Sequence, residues 1–313
     1  MWVFKIKKDH LKQTIEHKAH LCAQGFTQSP GIDFEKTYTP TGRLNLLRAL
    51  VAHMCTNNLE FHQIDVKSAF LNAPLLETVY LSVPQGLTIN CQKYCLRLKK
   101  AIYGLKQAPL TWYNCLKSWF QSVGFSACKL DPCVFYRNQP DPLWIYIHVD
   151  NIALFGRNTQ PFKEQINREF SIKDIGPADL LLGVKIHQLK EGIMLHQQHF
   201  VESLLDTYGM KNCKAVRTPL IPKEHLSAAM EAEKKAFNEM KVNHRSAVGS
   251  INYLSSVTRP DLPPAVSSLS QHIEKPSVQH WKDFIHVFND ADWATAKQPI
   301  VPLPDSWHNS MAA

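Results

Sequence analysis

Two apolar runs with a single acid between them constrain this chain more than any other feature. Leu143-Trp144-Ile145-Tyr146-Ile147-His148-Val149 and Ile152-Ala153-Leu154-Phe155 read as the arms of a β-hairpin, with Asp150-Asn151 at its tip. An acid at such a tip is surrounded by residues that would otherwise form a core. Asp65 has a similar setting, at the end of the apolar strand Phe61-His62-Gln63-Ile64-Asp65. Carboxylates brought together from neighbouring strands can hold a pair of divalent cations. Such a pair activates an attacking hydroxyl and stabilises the leaving oxygen in phosphoryl transfer. The residues alone leave a structural alternative open: Asp-Asn is a good two-residue turn, and Asp65 would equally cap a following helix.

Composition narrows the classes. The 313 residues carry 35 Lys+Arg against 27 Asp+Glu, a net charge of +8, with 44% hydrophobic residues and only 12 glycines. That excludes a largely disordered chain and collagen-like repeats. The length allows one large domain or two to three lobes at ~100–200 residues each, with a core that needs no disulfides. The basic excess is compatible with an acidic partner such as nucleic acid. Cys22, Cys55, Cys91, Cys95, Cys115, Cys128, Cys133 and Cys213 are scattered, with no Cys-x-x-Cys pair, and His196 and His199 lack a matching cysteine pair. They read as free thiols of a reducing compartment. The first residues lack a signal-peptide core, and no run of ~18 uncharged apolar residues occurs. The expectation is a soluble intracellular protein, cytoplasmic or nuclear, with no membrane partner.

Residues 91–140 concentrate the charge: Lys93, Arg97, Lys99, Lys100, Lys106, Lys117, Lys129 and Arg137 against Asp131. Tyr94, Tyr103, Trp112, Tyr113, Trp119 and Phe120 are interleaved with them. A solvated helical face over an aromatic core fits this pattern, and so does a groove following a phosphate backbone. Periodicity predicts strands over 2–8 and 18–26 and helices over Leu44–Asn57, Leu110–Val123, Phe162–Phe170, Gln198–Tyr208 and Ala247–Val257. A short helical turn is expected near Ser68-Ala69-Phe70. Residues 221–243 read as an exposed connection, and Ala294–Ala313 as a poorly packed tail.

Longer motifs go further. Gln63-Ile64-Asp65-Val66-Lys67-Ser68-Ala69-Phe70-Leu71-Asn72 is similar to the first catalytic motif of copia-type retrotransposon reverse transcriptases. Lys100-Ala101-Ile102-Tyr103-Gly104-Leu105-Lys106-Gln107-Ala108-Pro109, followed by Trp112-Tyr113, resembles that family's next signature. His148-Val149-Asp150-Asn151-Ile152 stands where the family carries Tyr-Val-Asp-Asp. The likeness continues through Phe170-Ser171-Ile172-Lys173-Asp174-Ile175-Gly176 and Leu182-Gly183-Val184-Lys185-Ile186. It extends to Arg245-Ser246-Ala247-Val248-Gly249-Ser250, Tyr253-Leu254 and Thr258-Arg259-Pro260-Asp261, and upstream to Lys18-Ala19-His20-Leu21 and Gln24-Gly25-Phe26-Thr27-Gln28. In all it covers roughly residues 2–293.

The resemblance implies an α+β, right-hand polymerase fold with an antiparallel palm sheet. Residues 1–60 would be partial fingers, 61–190 a palm with inserted fingers elements, 191–285 thumb or connection, and 286–313 a vestigial RNase H start with an unstructured tail. It implies RNA-directed DNA polymerisation with two Mg2+ ions held by Asp65 and Asp150. The partners would be an RNA or DNA template with its primer, and deoxynucleoside triphosphates. Gln107 would contact the incoming nucleotide, Lys18 would approach its triphosphate, and Lys173 would act as general acid toward the departing pyrophosphate. Gly183 lies in the turn that resembles the primer grip.

Departures accompany the match. Asn151 replaces the second aspartate of the family hairpin, which removes one negative charge and predicts weaker metal affinity and a lower rate. His148 replaces the tyrosine, and His20 the arginine of Lys-Ala-Arg-Leu, where an imidazole cannot form a bidentate fork. Asn289-Asp290-Ala291-Asp292-Trp293 resembles the opening strand of the family's RNase H domain, with too short a remainder to complete one. These departures define the rival expectation, a decayed element that binds nucleic acid at most.

Overall fold

The apolar hairpin lies at the centre of a six-stranded sheet. The computed structural model describes residues 1–8, 13–89, 93–139, 141–189, 192–210, 218–219, 226–227 and 229–293. The chain divides into two compact units, one within Met1–Ala178 and one within Asp179–Pro302.

The first unit opens with an antiparallel hairpin of β1 (Trp2–Lys8) and β2 (Thr14–Leu21). The second arm starts earlier than the apolar pattern predicts and stops at Leu21, because Gly25–Thr27 forms a 3-10 turn. Helix α1 (Leu44–Asn57) buries Leu47, Leu50, Val51 and Met54 and ends where Asn58 turns left-handed at φ 49°. Asparagine adopts that conformation more readily than most residues. Strand β3 (Glu60–Val66) leads to a 3-10 turn at Ala69–Asn72, followed by the small pair β4 (Tyr80–Ser82) and β5 (Cys95–Arg97). Helix α2 (Ala108–Ser122) has Pro109 in its first turn, and the chain reverses beyond it at Gly124, φ +87°. There follow β6 (Ser126–Ala127), β7 (Val134–Arg137), β8 (Leu143–His148), β9 (Asn151–Gly156), helix α3 (Gln160–Glu169) and β10 (Ile172–Pro177).

The sheet order is β10-β3-β9-β8-β7-β6, with every neighbouring pair antiparallel. Ile64, Val66, Ile145 and Ile152 share one core with Trp112, Leu116 and Phe120 of α2 and Phe162 and Ile166 of α3. Phe61 and Phe155 stack at 4.4 Å, and α1 lies against their two strands. β9 is thus buried almost throughout, which is why it reads as an unbroken apolar run. Each such side chain contributes about 1.5–3 kcal/mol when fully buried. In the basic stretch, Trp112, Tyr113 and Phe120 are core residues, so for them the helical face over an aromatic core is the correct alternative. Arg137 is used locally, its guanidinium 4.6 Å over the Phe125 ring.

The second unit begins with a three-stranded antiparallel sheet of β11 (Leu180–Leu181), β12 (Val184–Leu189) and β13 (Gly192–His196). Among the described residues the helices that follow are α4 (Gln198–Thr207), α5 (Glu231–Glu239), α6 (His244–Val257), α7 (Pro263–Ser270) and α8 (Val278–Trp293). Their core includes Leu204, Phe237, Ile251, Leu254, Phe284 and Phe288. Two expectations are corrected here. The connection expected over 221–243 contains α5, anchored by the buried Phe237; residues 221–225 lie outside the described residues. Asn289–Trp293, expected as a strand, continues helix α8, because Trp281, Phe284 and Phe288 set a helical period that the backbone carries onward. The tail from Ala294 lies outside the described residues.

Among the described residues, Cys22, Cys55, Cys95, Cys115, Cys128 and Cys133 are thiols outside any disulfide; Cys91 and Cys213 are not described. No described helix is long and apolar enough to cross a membrane.

Candidate active site

Four residues line up across one end of the large sheet. Lys173 stands opposite Asp65, Asp65 opposite Asn151, and Asn151 opposite His148. This register moves the hairpin tip by one residue: the turn is Val149-Asp150, not Asp150-Asn151. Asn151 is drawn into β9 because it pairs on both sides and its amide is engaged. Gln63 Nε2 donates to Asn151 Oδ1 at 3.0 Å, and Asn151 Nδ2 donates to Asp150 Oδ1 at 3.2 Å. Val149 adopts φ +61°, an outlier for a β-branched residue. Trp112 Nε1, buried under the turn, holds the Val149 carbonyl at 2.8 Å. The Val66 backbone N–H donates to the Asp150 carbonyl at 2.9 Å, which ties the turn to the strand carrying Asp65. The two carboxylates therefore come from adjoining strands at the same sheet end, both half-buried.

Tyr103 records their joint field. Burial pushes its phenol above the ordinary range, and the charges of Asp150 and Asp65 push it the same way. Its ring meets Phe70 edge-on at 4.5 Å, and its carbonyl accepts from the Ala23 N–H at 2.7 Å. Sequence reasoning missed Tyr103 as a site residue. The available signal was the glycine after it: Gly104 has φ +92°, and a Cβ there would lie 2.1 Å from the Ala23 carbonyl oxygen. Only glycine lets that loop approach so closely. On the other side, burial pulls the His148 imidazole below its ordinary value, with Asp150 opposing the shift.

The remaining candidates are placed as follows. Lys173 is exposed on β10. Its neighbour Asp174 accepts from Lys163 Nζ of α3 at 2.9 and 3.0 Å, and that ammonium also lies 2.6 Å from His62 Nδ1. The strand carrying Lys173 is thus fastened to α3. Gln107 precedes α2 and is almost fully buried; its amide donates to the Asp33 carbonyl at 2.8 Å and accepts from Gln28 at 3.0 Å. It also lines a cavity of about 470 Å³ with Glu35, Lys36, Leu110, Thr111 and Asn114. Lys18 sits on β2, in a separate two-stranded sheet, with its ammonium 3.7 Å from Glu16. Gly183 belongs to the second unit, where Leu182 (φ +52°) and Gly183 (φ +76°) form the two-residue turn between β11 and β12. Two left-handed residues in succession are what a type I′ hairpin turn requires.

Asp65 and Asp150 offer the anionic oxygens that a hard divalent cation takes. Asn151 adds no third charge, and its oxygen already accepts from Gln63. Among the described residues no group of three or more His, Cys, Asp or Glu side chains forms a metal cluster.

Residues 1–222 match the family described as reverse transcriptase (RNA-dependent DNA polymerase). The chain is 35% identical over 292 residues to the retrovirus-related Pol polyprotein from transposon TNT 1-94 of Nicotiana tabacum, covering 90% of this chain and 22% of that protein. It is 30% identical over 322 residues to the corresponding polyprotein from transposon RE2 of Arabidopsis thaliana, covering 94% and 22%. Against the transposon Ty1-JR2 Gag-Pol polyprotein of Saccharomyces cerevisiae, identity is 27% over 332 residues, covering 99% and 18%. The chain thus spans about a fifth of the length of these relatives.

Proposed function

The chain belongs to the reverse transcriptase (RNA-dependent DNA polymerase) family found in copia-type retrotransposon Pol polyproteins, and from that premise we propose that its first unit performs nucleotidyl transfer at the sheet end carrying Asp65 and Asp150. The reading rests on one observation above all: Lys173, Asp65 and Asn151 stand side by side, with Asp150 tied to the Asp65 strand through the Val66 N–H. In the proposed reaction a primer 3′ hydroxyl attacks the α-phosphorus of a deoxynucleoside triphosphate. A new O–P bond forms, the bond to pyrophosphate breaks, and the hydroxyl proton passes to solvent water.

Asp65 and Asp150 would hold Mg2+. When bound, such ions supply charge neutralisation at the attacking and leaving oxygens. Lys173, exposed opposite Asp65, would hand a proton to pyrophosphate. Tyr103, backed by the buried Phe70, is close enough to feel both carboxylates, and the sugar of the incoming nucleotide would rest against its ring. Gln107 and Lys18 are assigned to the nucleotide, and Gly183 to the primer strand, by resemblance. In the same reading residues 1–60 are fingers, 61–190 palm with inserted fingers elements, and 191–285 thumb or connection. Contacts would fall on backbone and sugar, so template sequence preference is low.

Primer extension on an RNA template with the purified chain tests this. Mg2+-dependent incorporation that disappears in Asp65→Ala and Asp150→Ala is the expected result. No incorporation by the wild type, nor after Asn151→Asp, would sink it. The second reading, a nucleic-acid-binding remnant without chemistry, is favoured by Asn151 itself. It predicts salt-sensitive binding indifferent to Asp65 and Asp150.

A further inference from the structure

The motif running from Arg245 to Asp261 takes no part in the site above, yet two of its residues reach back to the start of their own unit. Tyr253 on α6 donates from Oη to the Leu182 carbonyl at 2.7 Å, while its ring meets Phe200 edge-on at 5.1 Å. Thr258, just beyond α6, donates to Gln197 Oε1 at 2.9 Å.

The bond from Tyr253 falls on an unusual piece of backbone. Leu182 is left-handed at φ +52°, a conformation that L side chains resist, and Gly183 follows at φ +76°. Such a turn persists only where its surroundings over-determine it. The Leu182 carbonyl lies between these two residues, and the tyrosine hydroxyl grips it. The same hydroxyl would lie 3.0 Å from a Cβ on Gly183, so a larger residue there would crowd it. Gly183 itself is exposed, whereas the flanking Leu181 and Val184 are buried. The phenol thus governs the presented face of the turn and not the packing beneath it.

We propose that Tyr253 is a positioning residue for nucleic acid: its hydroxyl holds the Leu182-Gly183 turn in the shape that receives the recessed 3′ end of a primer–template duplex. This rests on reading that turn as the primer-holding element. The test uses the full chain and two labelled duplexes of equal length, one with a recessed 3′ end and one blunt. Fluorescence anisotropy gives the affinity ratio between them.

Tyr253→Phe keeps the ring on Phe200 and removes the donor. It is expected to lower the preference for the recessed end by about 2- to 10-fold, the worth of one hydrogen bond, with blunt-duplex affinity and thermal unfolding unchanged. Gly183→Ala is expected to lower the preference as well. The double variant should lose less than the product of the two, because both act on one turn. A Tyr253→Phe protein that retains the wild-type ratio, or that loses affinity for both duplexes equally, overturns the role of Tyr253 alone. A wild type with no preference for the recessed end overturns the primer-holding reading and this inference with it.

Discussion

Replacing Asn151 by aspartate probes directly how the carboxylate pair is held. In the wild type the Asn151 amide donates to Asp150 Oδ1 across 3.2 Å while its oxygen accepts from Gln63 at 3.0 Å. Aspartate preserves the second contact and converts the first into two facing carboxylates. Unit charges about 4 Å apart at an effective dielectric of about 20 repel by about 4 kcal/mol. Both residues are half-exposed, so screening and side-chain rotation reduce this to about 1–2 kcal/mol, to which the lost hydrogen bond adds about 1 kcal/mol. Without divalent cations the variant should therefore unfold several degrees below the wild type, at about 2–4 °C per kcal/mol for a unit of this size. Mg2+ reverses the sign, because the added charge becomes a ligand; a ligand at a hundred times its Kd stabilises by about 2.7 kcal/mol. Thermal unfolding by circular dichroism in EDTA and in Mg2+ measures both arms, and primer extension run in parallel should show faster incorporation by Asn151→Asp. A variant as stable as the wild type in EDTA, with no larger response to Mg2+, would refute the carboxylate-pair geometry.

Other perturbations address the supports of the site and the second unit. Trp112→Phe removes the donor beneath the left-handed Val149; a loss of about 1–2 kcal/mol in urea unfolding is expected, together with a larger proportional fall in incorporation. Lys163→Met breaks the tie between α3 and β10, but Asp174 is 46% exposed and rehydrates. The expected cost is about 1–2 kcal/mol, below the figure for a fully buried pair, and is checked by denaturant midpoint. His244, 3% exposed, is pushed down from 6.5 to about 4, first by burial and then by the charges of His280 and His272. A base whose folded pKa lies below its unfolded value contributes stability above pH 6.5 that is lost as pH falls toward 4. The loss amounts to about 3 kcal/mol. Urea unfolding between pH 7 and pH 4 should show it, and His244→Leu should flatten the dependence.

Local pattern was enough for much of the chain. The spacing of Leu47, Leu50, Val51 and Met54 marked α1 from Leu44 to Asn57, and Gly124 marked the reversal after α2. Alternation and apolar runs marked β3 and the arms of the hairpin. Asp65 and Asp150 stood out as acids at the ends of apolar strands, and the ordered motifs identified the family. These features depend on residues near one another in sequence, where period and turn chemistry act directly. Composition left the aromatics of the basic stretch undecided, and packing put Trp112, Tyr113 and Phe120 inside.

The rest required contacts between distant segments. The one-residue shift of the hairpin tip depends on Asn151 pairing with Asp65 and on Trp112 holding the Val149 carbonyl, partners well removed from the turn. Tyr103 joins the site only because Gly104 lets its loop press on Ala23. Gln107 is committed to the loop at Gln28 and Asp33, and Tyr253 reaches Leu182 across 71 positions of chain. The sequence by itself determined helix α1, strand β3, the arms of the central hairpin, the family and which acids to examine. Tertiary structure decided which neighbours each acid keeps, because a hydrogen bond between remote segments leaves no period in either one.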